Sequence, residues 1–554
     1  MVKKVLVVGA GASGLAALKV CLIEYGFDVW CLEKSHDIGG LWRYKPHECE
    51  GEASVMKSTV INTSKEMMAY SDFPPPPEYP NFMHNRDVMS YFRLYAKAFG
   101  LLDRIQFNTE IRSVRRADDY DSSGKWEVVS TNLKTGRTST EIYDVVFLCT
   151  GHHACPHSAQ ITGITDGNFK GRVLHSQSYK EARGYEDKRV VVVGVGNSGG
   201  DIAVELSRVA EKVYLVARRG TWVWNRINKY GLPLDMIITT RLTQFFYDIF
   251  PNLATAIAES TVTKRFDHTM YGIKPRHHIF QQHPMVNDEL PSRIQCGSLI
   301  VKPGIRGVES PNTILFEDGT RAENIDAIIM CTGYSFGFPY LENGELIPVE
   351  ENRVKLYKLM FSPDLAHPET LPVIGCFQSL GALMPISEMQ SRVACELVKD
   401  GATIRLPNRL AMYRDINARI EAMSGRYVES RRHTIQVDYV AFMDELANMI
   451  GAKPSTLGLA LRDPRLAMSV YFGPCLPYQY RLRGPHAWKG ARDTQLKVWH
   501  RVWCPTRSII GVCGGGRCTC RRVSGCAVKS SMTLARRVFG LLSLLIIGFL
   551  VWCF

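Results

Sequence analysis

The stretch VLVVGAGASGLAALKVCLIEYGFDVWCLEK, Val5 to Lys34, decides the fold. An apolar run, Val5 to Val8, meets Gly9, Gly11 and Gly14; apolar residues then recur at helical spacing before a second apolar run. Strand, glycine turn, helix and strand in that order predict a dinucleotide-binding unit, which the glycine pattern alone would not. The first glycine permits the turn, the second lets a pyrophosphate approach the backbone, and the third packs helix on strand. Free N–H groups at the helix start then hold phosphate. Glu33 stands about twenty residues on, where a carboxylate accepts both hydroxyls of a ribose. Gly9, Ala10, Gly11, Ala12, Ser13, Gly14 and Glu33 are therefore the first candidate site.

The plan recurs in RVVVVGVGNSGGDIAVELSRVAEKVYLVARRG, Arg189 to Gly220, with Gly194, Gly196 and Gly199 in the turn. Here the second strand ends not in an acid but in Arg218 and Arg219. A ribose carrying a 2′-phosphate repels a carboxylate and welcomes a guanidinium, which binds phosphate through two hydrogen bonds. The competing reading makes the arginines a solvated strand end. Opposite ribose chemistry in one chain points to bound FAD at the first unit and exchanging NADPH at the second. VVFLCTGHH (Val145 to His153) and AIIMCTGYS (Ala327 to Ser335) add an echo, each an apolar run ending in Cys-Thr-Gly after a nucleotide motif. The expected fold is α/β with two Rossmann-like units. An NADP-binding domain, 185–330, is inserted between the first part of an FAD-binding domain, 1–184, and its return with a helical region, 331–499.

A dithiol reductase would need a close cysteine pair beside the flavin, and Cys21, Cys31 and Cys49 offer no CxxC or CxxxxC spacing. The fingerprint FxGxxxHxxxY stands as FKGRVLHSQSY, with Phe169, Gly171, His175 and Tyr179. EKSHDIGGLWRY, VINTSKEMMAYSDFP, GNSGGD, CTGYSF, GALMPISEMQSR and GPHAWKGAR accompany it. On these motifs the chain resembles the vertebrate flavin-containing monooxygenases over almost all of residues 1 to 498, and RYVESRRHTIQ is most similar to the isoform-five branch. Residues 500 to 530 depart from the family in composition.

The resemblance implies that NADPH reduces FAD, oxygen adds at the flavin C4a carbon, and the resulting hydroperoxide waits for a soft sulfur or nitrogen nucleophile. Keeping it dry demands hydrogen-bond donors and excluded solvent rather than acid–base residues. By the same resemblance Asn62 sits by the flavin and nicotinamide as the catalytic amide, and Thr63 touches FAD or NADP. Leu41 and Trp42 flank the isoalloxazine, with Gly39 and Gly40 allowing close approach. Asn197, Ser198, Gly199, Gly200 and Asp201 line the NADP pyrophosphate, while His175 and Tyr179 brace that lobe. Asn62-Thr63-Ser64 also fits a glycosylation sequon, a reading that a cytosolic body removes. Three other functions stay open: Baeyer–Villiger oxidation of ketones, an NADPH oxidase releasing peroxide, and a membrane scaffold without catalysis.

The chain has 554 residues and a net charge of +13. From Thr494 onward there is no Asp or Glu against nine Lys or Arg, so the basic excess belongs to a linker, 500–537, suited to an anionic membrane surface. Val538 to Phe554 is uncharged and follows Arg536 and Arg537. At about 1.5 Å per residue it reaches ~26 Å, a short C-terminal anchor that spans or dips in, with a buried core helix as the alternative. No signal peptide is expected, since the first apolar run is the strand at Val5. The sixteen cysteines have no secreted spacing and suit a reducing compartment. Those at Cys504, Cys513, Cys518, Cys520 and Cys526 lack histidine partners for a metal and fit palmitoylation better. Pro74 to Pro77 reads as a stiff surface connector. No nucleic-acid module is present, because aromatics do not interleave with the basic tail. The expected setting is the endoplasmic reticulum membrane, body towards the cytosol. Small substrates and O2 are the expected partners, and oligomeric state is open.

Overall fold

The computed structural model describes residues 2–48 and 51–507. Cys49, Cys513, Cys518, Cys520, Cys526 and the expected anchor 538–554 lie outside the described residues. Among the described residues no helix is long and apolar enough to cross a membrane.

Two parallel sheets carry the two glycine motifs. The first runs Ile105–Gln106, Asp28–Leu32, Lys4–Val8, Val145–Leu148. The second runs Leu299–Lys302, Lys212–Val216, Arg189–Val193, Ala327–Met330, Arg172–His175. In both, the strand before the glycine turn is central and the Cys-Thr-Gly strand is its neighbour. These strands are runs of valine and isoleucine buried on both faces, the pattern a parallel sheet needs when helices cover it. The repeat extends to a three-stranded antiparallel meander before each Cys-Thr-Gly strand: Thr109–Arg116, Trp126–Asn132 and Thr138–Tyr143, then Ile305–Ser310, Thr313–Phe316 and Arg321–Ala322. The strand Arg172–His175, from the fingerprint, edges the second sheet, so that sheet starts in sequence before residue 185. A parallel bridge from Leu148 to Val373 carries the first sheet into the returning part of the chain.

The return delivers the helix Met384–Val398, buried along its whole length and packed on the first helix, Ala12–Lys19. Cys21 and Cys395 meet at this interface with sulfurs 3.5 Å apart. The described cysteines are all free thiols.

A buried charge cluster locks the interface. Arg481 donates to Glu24 at 2.6 and 3.0 Å, to Glu388 at 2.9 Å and to the Ser71 hydroxyl at 2.7 Å. Lys19 pairs with Glu24 and Asp72, and Arg392 lies 3.9 Å from Glu24. Three carboxylates thus face three cations with almost no solvent. Burial alone would raise the Glu24 pKa, yet Arg481, Lys19 and Arg392 pull it down to about 2. Its contribution to stability is present above the usual carboxylate range and is lost as pH falls towards about 2. Replacing Arg481→Met leaves the carboxylates under-neutralised and is expected to cost about 3–5 kcal/mol at neutral pH. Thermal unfolding checks it, and a variant as stable as wild type would show that the cluster carries no weight.

Candidate functional site: two glycine turns and the loop between them

At the first turn Gly9 has φ +96°, and a Cβ there would lie 2.9 Å from the Cys149 carbonyl oxygen. A Cβ on Gly14 would come within 1.8 Å of the Gly9 carbonyl oxygen. The second turn repeats this geometry: Gly194 has φ +108°, its Cβ would meet the Cys331 carbonyl at 2.6 Å, and one on Gly199 would meet the Gly194 carbonyl at 1.9 Å. Both cysteines come from the Cys-Thr-Gly echoes, whose shared role is to press a carbonyl against the first glycine. The helices Ala12–Lys19 and Asn197–Leu206 are N-capped by Gly11 and Gly196, neither with a side-chain cap. Their first N–H groups thus stay available to an anion.

The ends of the second strands differ in charge. Glu33 accepts from the Ala10 N–H at 2.7 Å and from the N–H and hydroxyl of Ser35 at 2.9 and 2.6 Å, which fixes its carboxylate beside the turn with acceptor capacity to spare. In the second unit the place of Glu33 is held by the buried Ala217, and Arg218 and Arg219 stand exposed directly after it, with Arg219 donating to the Glu429 carbonyl at 3.3 Å. Gly39 and Gly40 bring the Gly-Gly-Leu-Trp loop onto the first turn: Gly39 N–H donates to the Ala10 carbonyl at 2.9 Å, and a Cβ on Gly40 would be 3.1 Å from the Gly11 Cα. Leu41 and Trp42 follow, half-buried. Ser13 joins Ser387 at 3.0 Å, and the Ala12 carbonyl accepts from the Tyr70 hydroxyl at 2.7 Å.

In the second unit Ser198 is exposed on the first helical turn, while its neighbours hold protein. The Asn197 side chain accepts from Val286 N–H at 2.9 Å, Asp201 accepts from Asn287 at 2.9 Å, and a Cβ on Gly200 would strike the Met285 sulfur at 2.5 Å. The segment 285–287 therefore packs on this helix. Burial drives the Asp201 pKa up to about 6 against the pull of Arg226 and Asn287.

Asn62 and Thr63 lie on a loop of the first lobe that residues 226–235 clasp. Arg226 donates to the Asn62 side-chain oxygen at 2.7 Å and is itself held by Asp288 at 2.9 Å. Asp235 accepts from the N–H and hydroxyl of Ser64 at 2.7 and 2.9 Å. With its oxygen engaged, Asn62 keeps its amide N–H2 as the available donor. Arg226, Asp235 and Asp288 are not among the residues read from sequence. The hint was TWVWNR, Thr221 to Arg226, an arginine in an aromatic-rich stretch that is buried only with a partner.

The fingerprint has a structural explanation. His175 accepts from Gln177 N–H at Nδ1, so Nε2 carries the proton and donates to the Gly333 carbonyl at 3.0 Å. A Cβ on Gly171 would sit 2.7 Å from the Asp326 carbonyl, and Tyr179 is buried against Tyr185, ring centroids 5.8 Å apart. These residues brace the second Cys-Thr-Gly strand.

Residues 2–520 match the flavin-binding monooxygenase-like family model. The chain belongs to that family. It is 47% identical over 504 residues to flavin-containing monooxygenase 5 of Cavia porcellus, covering 91% of this chain and 93% of the relative. It is 46% identical over 509 residues to the same-named protein of Homo sapiens, covering 92% and 94%. Flavin-containing monooxygenase 2 of Homo sapiens is 43% identical over 509 residues, covering 92% and 94%. In fold, the chain is similar to S-allyl-L-cysteine S-oxygenase from Allium sativum, with TM-score 0.63, 23% identity and coverage of 90% and 99%. It is also similar to cyclohexanone monooxygenase from Rhodococcus sp. Phi1 bound to NADP+, with TM-score 0.58, 14% identity and coverage of 81% and 98%. The chain is an FAD-containing, NADPH-dependent monooxygenase.

Asp201 provides a pH test. Its raised pKa means that the folded state loses stability as pH climbs from about 4 to about 6, with the cost fully present above that. Asp201→Asn keeps an acceptor for Asn287 and removes this titration. Relative to wild type it should gain on the order of 2–3 kcal/mol between pH 4 and 7. Unfolding measured at both pH values checks it, and a constant difference would refute the assignment.

Proposed function

We propose that this enzyme uses NADPH and O2 to oxygenate soft sulfur or nitrogen atoms of small molecules. The observation that carries the reading is the contrast just past the second strands, Glu33 directly after Leu32 in the first unit and Arg218 with Arg219 two and three residues after Val216 in the second. FAD, when bound, would supply the redox chemistry, hydride acceptance and oxygen activation. Glu33 holds the ribose of FAD, and the turn Gly9–Gly14 takes its pyrophosphate. Arg218 and Arg219 select the 2′-phosphate of NADPH, and the turn from Gly194 to Asp201 takes its pyrophosphate.

Asn62 is the residue assigned to the oxygen chemistry. Its oxygen is engaged by Arg226 at 2.7 Å, so the amide N–H2 is the group that would donate to the reacting oxygen. An amide donates this hydrogen bond without surrendering an acidic proton, which would favour loss of peroxide. Thr63 stands beside it. Asn62→Ala is expected to raise the peroxide released per NADPH consumed several-fold and to lower oxygenated product in step, with FAD content unchanged. Peroxide, NADPH and product from a thioether and a ketone are measured together. An ester from the ketone in place of sulfoxide would favour Baeyer–Villiger oxidation. Peroxide equal to NADPH in wild type would make the protein an oxidase.

The enzyme sits on the cytosolic face of the endoplasmic reticulum membrane in this reading, held by 538–554. Support comes from the acid-free basic tail and from apolar side chains left in solvent by neighbouring helices. Phe245, Ile249, Phe250, Leu253 and Ile257 are exposed on Arg241–Ile249 and Pro251–Thr263 and the residue joining them. Leu457, Leu461 and Met468 are exposed on Thr456–Arg462 and Pro464–Phe472. The helix Ala491–Arg507, the last described element, packs beside Pro464–Phe472 near its start, where Gln495 reaches Ser469. Full-length protein should need detergent for extraction from membranes, and deletion of 538–554 should make high salt sufficient. Full-length protein in the soluble fraction would refute the anchor.

A further inference from the structure

Residues 426–436 form a strap from the returning lobe across the second unit. Arg426 donates to the Phe280 carbonyl at 3.3 Å, and Val428 N–H donates to the Gln281 carbonyl at 3.0 Å. The Glu429 carbonyl accepts from Arg219 at 3.3 Å. Arg431 reaches Ser335 at 3.2 Å and Glu351 at 3.1 Å. His433 accepts from His283 N–H at 3.4 Å and donates through Nδ1 to the Val428 carbonyl at 3.0 Å.

Arg432 is different. Only its backbone N–H is engaged, by the Ser430 hydroxyl at 3.2 Å, and among the described residues its guanidinium has no carboxylate or carbonyl partner. That guanidinium lies over the second glycine turn: a Cβ on Gly196 would be 3.2 Å from Nη1, 3.7 Å from Cζ and 3.8 Å from Nη2. Gly196 is the position whose missing side chain lets a pyrophosphate approach the backbone. The charge of that guanidinium also acts on His153, His283 and His433. Burial, reinforced by Arg432, holds His153 well below the ordinary imidazole range, His283 at about 3 and His433 at about 4. The imidazoles are therefore neutral at pH 7. Arg432, a solvent-exposed cation, and the uncapped N–H groups of Asn197–Leu206 converge on one turn.

We propose that Arg432 binds the pyrophosphate of NADP(H), so that the nucleotide is held by the second unit and by a strap from the other lobe. The proposal rests on the reading of the second unit as the NADPH site. It divides the recognition: Arg218 and Arg219 take the 2′-phosphate, and Arg432 takes the pyrophosphate.

The test titrates full-length, FAD-loaded, oxidised enzyme with NADP+ and with adenosine 2′-monophosphate, which has the 2′-phosphate but no pyrophosphate. Binding is read by calorimetry or by perturbation of the flavin spectrum. Arg432→Gln should weaken NADP+ roughly ten- to a hundredfold, the size of one charge-assisted phosphate contact. It should leave the monophosphate within about twofold, which also shows that the pocket is still folded. Arg432→Lys should recover part of the NADP+ affinity, because a point charge replaces a fork. The double variant Arg218→Ala, Arg219→Ala should weaken both ligands. Unchanged NADP+ affinity in Arg432→Gln would overturn the proposal, as would equal loss of both ligands. If wild type bound neither ligand, or the double variant weakened neither, the NADPH reading itself would fail.

Discussion

The space that a Cβ would fill at four glycines is the constraint on which the structure depends. At Gly9 and Gly194 it is closed by a cysteine carbonyl from the neighbouring strand, and at Gly14 and Gly199 by the carbonyl of the first glycine itself. Strand, turn and helix can approach this closely only without side chains, and the approach brings an uncapped helix start to the end of a parallel sheet. The surrounding architecture supports that contact. The Cys-Thr-Gly strands supply the carbonyls, and in the second lobe His175 and Gly171 hold the supplying strand and its glycine turn.

Given two equivalent turns, charge just past the neighbouring strand end distinguishes them, and the loop of Asn62 lies where their lobes are fastened. Arg226 and Asp235 reach from the second unit to Asn62 and Ser64 of the first. Asn62 is thus oriented by a residue of the second unit. Arg226 has its own charge answered by Asp288, so the fastening adds no unpaired cation beside Asn62.

Much of this was legible in the sequence, for physical reasons. Glycine turns, strand runs and the acid or arginine ending the second strand are local, and both copies lie within about thirty residues each. The Cys-Thr-Gly echoes were visible as buried strands, though not that their carbonyls close the turns. What was not legible is pairwise and distant. Arg226 to Asn62 spans 164 residues and Arg481 to Glu24 spans 457, and such contacts leave no periodicity. The fingerprint read as a brace, but its strand Arg172–His175 joins the second sheet ahead of the expected boundary, because parallel pairing with Ala327–Met330 is set by tertiary neighbours rather than by order in the chain. Asn197 and Asp201, read as nucleotide-facing, also hold the segment 285–287 in place.

The buried cluster around Arg481 has a consequence for how the protein is made. Lys19 and Glu24 leave the ribosome early, with Asp72 soon after, but Glu388 and Arg392 emerge much later and Arg481 last. Before Arg392 emerges Glu24 and Asp72 face only Lys19, and before Arg481 three carboxylates face two cations; burial of an uncompensated carboxylate is disfavoured. The first dinucleotide unit, although it begins the chain, cannot close its far side during synthesis of the rest. The charge balance of that interface is complete only once residue 481 is present.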